Sequence, residues 1–403
     1  MIVLADTDAL VADAIIPKTA QAEIELRSRK LMVAMAINAI LCFGILSATG
    51  GFIFWLASAL SVAIVGMLFL GIGILILRAD HSDFTFFGNA SALIGAGMLI
   101  GGAGIELIDK YSDIAGWIMA PAGALVAALC VFALKKQKTT GRFVAGSILL
   151  MGLALHLIGL GFLLNQGEID GALISLFYLY ATLAIAGAGW FIDVRLITAL
   201  AIVPFAQALD TSTFYFHAAY VFYSPESTLS ILQMLLLVIA LLFMARTQST
   251  RLSRHAMTLA VMAFIVANLC ALVGSLWGDY IGETLWGASR YGDWDSSTYS
   301  SWYEARDAFR ETAMFISANF YSVLWAIGLA GAIGWFAHSN QRGLFNTAVT
   351  FACIHAYTQA LESFHDEPLA YVIGGLAAIP LAWGLWRLDG WLTARQLTQA
   401  GHL

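Results

Sequence analysis

A chain of 403 residues that is 60% hydrophobic and only 11% charged is not an ordinary soluble domain, because such domains carry about a quarter charged residues. Its net charge of −6 is spread along the chain without a basic block, which excludes nucleic acid as a partner. The composition is that of a polytopic membrane protein, all-α, in contact with the lipid bilayer.

The first 30 residues form a tail. It opens MIVLADTDALVADAII, with Asp6, Asp8 and Asp13 where a cleavable signal peptide needs basic residues. Arg27, Arg29 and Lys30 close it. Apolar runs near the ~20 residues that cross a bilayer follow. They predict about twelve spans, at 31–49, 53–77, 84–107, 113–134, 143–164, 171–191, 196–219, 227–245, 256–276, 312–336, 343–363 and 369–387. With this count, 16 of the 20 Lys and Arg residues fall in the tails and alternate loops, leaving only Lys110, Arg290, Arg306 and Arg310 opposite. Basic residues gather on the cytoplasmic side, so both termini are expected there.

The spans recur in fours. The sixth and tenth end in LAIAGAGWFIDVR and LAGAIGWFAHSNQR, each with small residues, Trp-Phe and a short Arg loop. The first, fifth and ninth carry Asn38, His156 and Asn268 midway, and acids sit late in the third, seventh and eleventh at Glu106, Asp210 and Glu362. The expected organisation is a tail at 1–30, four-span units at 31–138, 139–248 and 249–395, and a tail at 396–403. Four spans per unit keep all three in the same orientation.

The long extramembrane segment runs from Trp277 to Glu311 and is dense in Trp and Tyr. Such aromatics anchor to headgroups, or the segment docks a protein partner, since connections this long are often functional. Ser301-Trp-Tyr-Glu304 is a capping box that predicts a helix starting there and running into the tenth span.

Chemistry concentrates in Phe351–Pro368, FACIHAYTQALESFHDEP. His355, Gln359 and Glu362 are spaced i, i+4, i+7 and share a helix face. Asp210 and His217, seven apart, share a face of the predicted seventh span, which Pro204 would kink. Since a lone intramembrane carboxylate is costly, Asp210, His217, His355, Gln359 and Glu362 are expected to converge on one ion- or solute-binding site. Glu362-x-x-His365 has the spacing of a di-iron ligand pair, but the second pair and the further Glu residues that such a site needs are absent from the sequence. No metal and no cofactor are therefore expected. Cys42, Cys130, Cys270 and Cys353 lie in apolar runs and read as buried hydrophobes. Asn38, His156, Asn268, Asn319 and Asn346 are expected to bond across neighbouring helices, and Gly97, Gly101, Gly328, Gly331 and Gly334 to sit at close helix contacts. His255 and His338 read as loop residues.

Residues 51–106, with a Trp-containing pair of spans, a short Arg loop and a Ser-Gly-rich span, resemble a family of multi-pass bacterial inner-membrane proteins known as a domain of unknown function. The resemblance implies a bacterial cytoplasmic membrane and carries no activity or site. Two functions then compete. Intramembrane acids and histidines point to a transporter- or channel-like protein for a small ion or polar solute. The aromatic outer segment points to a structural or assembly subunit. No Walker loop, GxSxG or HExxH stands in the chain, which weighs against an enzyme.

Overall fold

The structure, a computed structural model, describes residues 7–12, 14–29, 58–78, 85–136, 142–169, 171–209, 214–216, 221–223, 226–247, 249–287, 296–339 and 341–364, with scattered positions in 40–51 and 372–387. Among the described residues, eight helices are long and apolar enough to cross a membrane. They fit a multi-pass membrane protein. The predicted spans at 31–49 and 369–387 lie almost wholly outside the described residues.

The chain divides into two compact units, Met1–Glu168 and Ile169–Leu403. The first holds the short α1 (Thr7–Ala12), α2 (residues 18–29) and four span candidates: α3 (Ala59–Arg78), α4 (Thr85–Lys110), α5 (Ser112–Lys136) and α6 (Arg142–Gln166). These pair as hairpins, α3 with α4 and α5 with α6. Glycines let the backbones touch. A Cβ on Gly66 would lie 2.5 Å from the Leu99 nitrogen, and one on Gly102 would lie 2.7 Å from the Ala59 carbonyl. Gly73 and Gly95 face the backbones of Ala92 and Leu70 as tightly. The expected contact glycines are different ones: Gly101, Gly328, Gly331 and Gly334 have open space where a Cβ would stand. Small-residue spacing marks a helix able to pack closely but not the face that does so. His156 does bond across helices, donating from Nδ1 to the Ala120 carbonyl of α5 at 2.7 Å.

The second unit holds α7 (Ala172–Ile192), α8 (Arg195–Leu200), α9 (Ile202–Gln207), β1 (Phe214–Phe216), β2 (Val221–Tyr223), α10 (Ser227–Thr247), α11 (Thr250–Trp277), β3 (Asp279–Tyr280), α12 (Glu283–Trp286), α13 (Ser296–Thr312), β4 (Phe315–Ile316), α14 (Ala318–His338) and α15 (Arg342–Phe364). Two small antiparallel pairs, β1 with β2 and β3 with β4, interrupt the otherwise helical chain. The core is built on α11, the most buried of the eight span candidates, against which α10, α14 and α15 pack. Val266, Cys270 and Val273 are among its buried residues.

Two expectations change here. The predicted span 196–219 is not one helix: α8 stops at Leu200, α9 at Gln207, and a strand begins at Phe214. Pro204 explains the first break. A proline ring clashes with the carbonyl four residues back, and that residue is Leu200. Likewise α13 begins at Ser296, five residues before the capping box, and does not run into α14. Phe315 pairs with Tyr280 and Ile316 with Asp279. Ser317 then starts α14 afresh, accepting a hydrogen bond from the Phe320 N–H at 3.3 Å.

Candidate functional site

Polar side chains gather at three levels of the second unit. At one end, the chain leaving α7 turns at Asp193, in the left-handed region with φ 62°. His255 of α11 donates from Nε2 to Asp193 Oδ1 at 2.9 Å, and its Nδ1 lies 2.7 Å from Thr198 Oγ1. Because a carboxylate only accepts, Nε2 carries a proton, and Nδ1 shares a hydrogen bond with the Thr198 hydroxyl. Arg251 donates to the last carbonyls of α7, Trp190 and Phe191 (2.8 Å to the latter), which satisfies a helix end. Arg251 and Arg254 also approach the Asp193 carboxylate at 3.5 and 3.7 Å. The His255 hydrogen bond, with these charges, holds the Asp193 carboxyl below its ordinary range. Acid, imidazole and hydroxyl stand in the order of an activated nucleophile. Thr198, however, is 4% exposed and lies against Gly189, where a Cβ would meet its Oγ1 at 2.5 Å. No substrate reaches that oxygen, so the trio is a structural tie. His255, read from sequence as a loop residue, is 2% exposed.

At the depth of the spans, Trp325 of α14 donates from Nε1 to Asn268 Oδ1 of α11 at 2.9 Å, and Asn268 donates to the Phe264 carbonyl at 2.7 Å. The Trp325 ring in turn packs on His355 of α15, centroids 4.6 Å apart at 59°. The cross-helix role expected for Asn268 is therefore present. Nearby, Gln233 of α10 donates to the Phe205 carbonyl of the broken α8–α9 segment at 2.6 Å. Its Oε1 is buried with no hydrogen-bond partner among the described residues.

At the other end, two buried acids cross-link the unit. Glu226, just before α10, accepts from the Gly282 and Thr284 N–H groups at 2.7 and 2.8 Å. Asp279, just after α11, accepts from the Thr228 N–H and hydroxyl at 2.7 and 2.5 Å and from the Tyr321 hydroxyl at 3.1 Å. Burial pushes the Asp279 carboxyl up, the Thr228 and Tyr321 hydrogen bonds oppose this, and the Glu226 charge adds to it. Further out, Arg310 grips Glu283 with both arms at 2.8–3.0 Å and covers the Tyr280 ring at 4.8 Å.

Of the five residues expected to converge, His355 packs on Trp325, whose indole donates to Asn268, and Gln359 lies half-buried one turn further along α15. Glu362 is in α15, but its side chain lies outside the described residues, as do Asp210 and His217. The helix presumed to align Asp210 with His217 ends at Gln207, before either. Asp193, Glu226 and Asp279 were missed because their partners are 42 to 62 residues away in sequence. Among the described residues, no group of three or more His, Cys, Asp and Glu could hold a metal ion. Comparison with known protein families, curated proteins and solved structures yields no match.

Proposed function

We propose that this chain is a transport-type membrane protein for a small cation or polar solute, with its site beside the α8–α9 break. The observation that carries the reading is Gln233 Oε1, an orphaned acceptor on a residue 7% exposed, next to a helix broken inside the core, where Ala201 is fully buried. Buried acceptors are almost always partnered, and irregular backbone at membrane depth is tolerated where it lines a cavity. Transporter sites commonly form at such discontinuous helices. In this reading Asp210 and His217, which follow α9, and His355, Gln359 and Glu362 on α15 supply the charge. The remaining architecture is proposed with it: about twelve spans in three like-oriented four-span units, in a bacterial inner membrane with both termini cytoplasmic.

A structural or assembly role is the second reading. It is favoured by the exposed apolar residues of the outer segment, Trp277, Leu285 and Trp286, at 60–73% exposure, which offer a partner protein a surface.

Proteoliposomes carrying a pH-sensitive dye and imposed cation gradients separate the two. In the transport reading, Gln233→Leu cuts flux per folded protein at least tenfold, a loss beyond the about 1–3 kcal/mol of stability that stranding the Phe205 carbonyl costs. Absence of flux from the unmodified protein with every gradient tried selects the assembly role.

A further inference from the structure

An apolar groove of about 760 Å³ runs along α11 between α10 and α14. Leu235 and Leu242 form one wall, Gly328 and Trp335 the other, and Phe264 and Ala267 the floor. From Tyr321 to Trp335 it extends ~21 Å at 1.5 Å per residue, a large part of the ~30 Å hydrocarbon layer. A helix 10–12 Å across and as long would fill roughly 2,000 Å³, so a helix rests on this groove rather than in it. The width suits a flexible hydrocarbon chain.

The two ends of the groove differ in charge. Only two residues separate α10 from α11, and the β3–β4 pair brings the end of α11 to the start of α14. Hence α10 and α14 both run antiparallel to α11 and finish at the same end. That end carries Arg246 and His338, whereas Glu226, Asp279 and Glu283 mark the opposite end. Arg246 is i+4 from Leu242 and His338 is i+3 from Trp335, so each continues the face that lines the groove. Both are exposed, and neither forms an ion pair among the described residues. Among the described residues, the acid at that end, Asp193, is engaged by His255, Arg251 and Arg254.

We propose that this groove holds an acyl chain of an anionic phospholipid, with the phosphate at Arg246 and His338. The apolar length selects the chain and the basic end selects the headgroup sign. The site is independent of Gln233 and of any flux.

The test uses the full chain in nanodiscs of phosphatidylglycerol and phosphatidylcholine, each in turn carrying a photoactivatable acyl chain, with crosslinks mapped by mass spectrometry. Phosphatidylglycerol crosslinks are expected in the segments 231–242, 264–271 and 324–336. Gly328→Trp fills the groove without a backbone clash, since a Cβ there meets nothing within 4 Å. It should remove most of these crosslinks without moving the melting midpoint. Arg246→Gln should lower the preference for phosphatidylglycerol about fivefold, the worth of one basic residue at an anionic surface. Equal labelling by the two lipids, crosslinks between two copies of the chain at these segments, or labelling unchanged in Gly328→Trp would each overturn the proposal.

Discussion

Glu226 and Asp279 cap each other's segments: Glu226 accepts from Gly282 and Thr284 in the turn after β3, and Asp279 accepts from Thr228 at the start of α10. Each acid satisfies backbone donors that the other's stretch of chain leaves open. Both are 3% exposed, so two carboxylates share a small, dry region and the charge of one is felt by the other.

Stability should follow pH accordingly. The Asp279 carboxyl is raised above 3.8, so the folded state holds that proton more tightly than the unfolded state. Its contribution is fully present below pH 3.8 and is lost as pH rises through the raised value. Relative to wild type, Asp279→Asn should flatten the fall in melting midpoint between pH ~4 and neutrality. Parallel pH profiles for the two proteins would contradict the assignment. Asp279→Ala should be far worse, because it abandons buried donors on Thr228 and Tyr321 at about 1–3 kcal/mol each.

The opposite end of the unit should respond with the opposite sign. Asp193 is held below 3.8 by the His255 hydrogen bond and by Arg251 and Arg254. Its contribution is present above pH 3.8 and is lost as pH falls through the depressed value. His255→Leu should remove much of this acid-side loss and, by stranding the Thr198 hydroxyl, lower stability by about 1–3 kcal/mol at neutral pH. Melting curves from pH 3 to 7 check both halves. An unchanged midpoint in His255→Leu at neutral pH would show that the tie carries no stability.

What the sequence made legible was what hydropathy and local spacing encode. Apolar runs located α4 to α7 and α10 to within three residues, and α3, α11 and α14 with starts six residues off. The bonding of His156 and Asn268 across helices followed from the cost of an unpaired polar group in hydrocarbon. The broken segment 195–207 was legible only in part: Pro204 signalled a kink, but the aromatic run Phe214–Phe216 that pairs with Val221–Tyr223 was absorbed into an apolar span. Strand and buried helix cannot be told apart by short apolar runs alone. His255 was misplaced because three arginines nearby, Arg246, Arg251 and Arg254, look like a loop. Only the fold shows that one helical face turns the imidazole inward toward Asp193. The Glu226–Asp279 cross-ties close over more than 50 residues and leave no local pattern. The convergence of Asp210, His217 and Glu362 rests on side chains outside the described residues.

The glycine contacts of the first unit allow the most direct test of helix packing. The α3–α4 hairpin brings Gly95 against the Leu70 backbone and Gly73 against Ala92, while Gly101 on the same helix faces open space. In a membrane, helices gain nothing from hiding apolar surface from lipid, so close backbone approach and dispersion must hold them together. A single methyl at Gly95 has no flexible side chain to displace; the neighbour is backbone. Gly95→Ala should therefore cost about 1–3 kcal/mol, as other overpacked sites do. Gly101→Ala adds the same methyl and the same gain in helix propensity without a contact. Its unfolding midpoint, measured by titrating a denaturing detergent into mixed micelles, should equal or slightly exceed that of wild type. Similar gains for the two variants would mean that helix propensity alone decides the outcome, and the packed face assigned to Gly66, Gly73, Gly95 and Gly102 would be wrong.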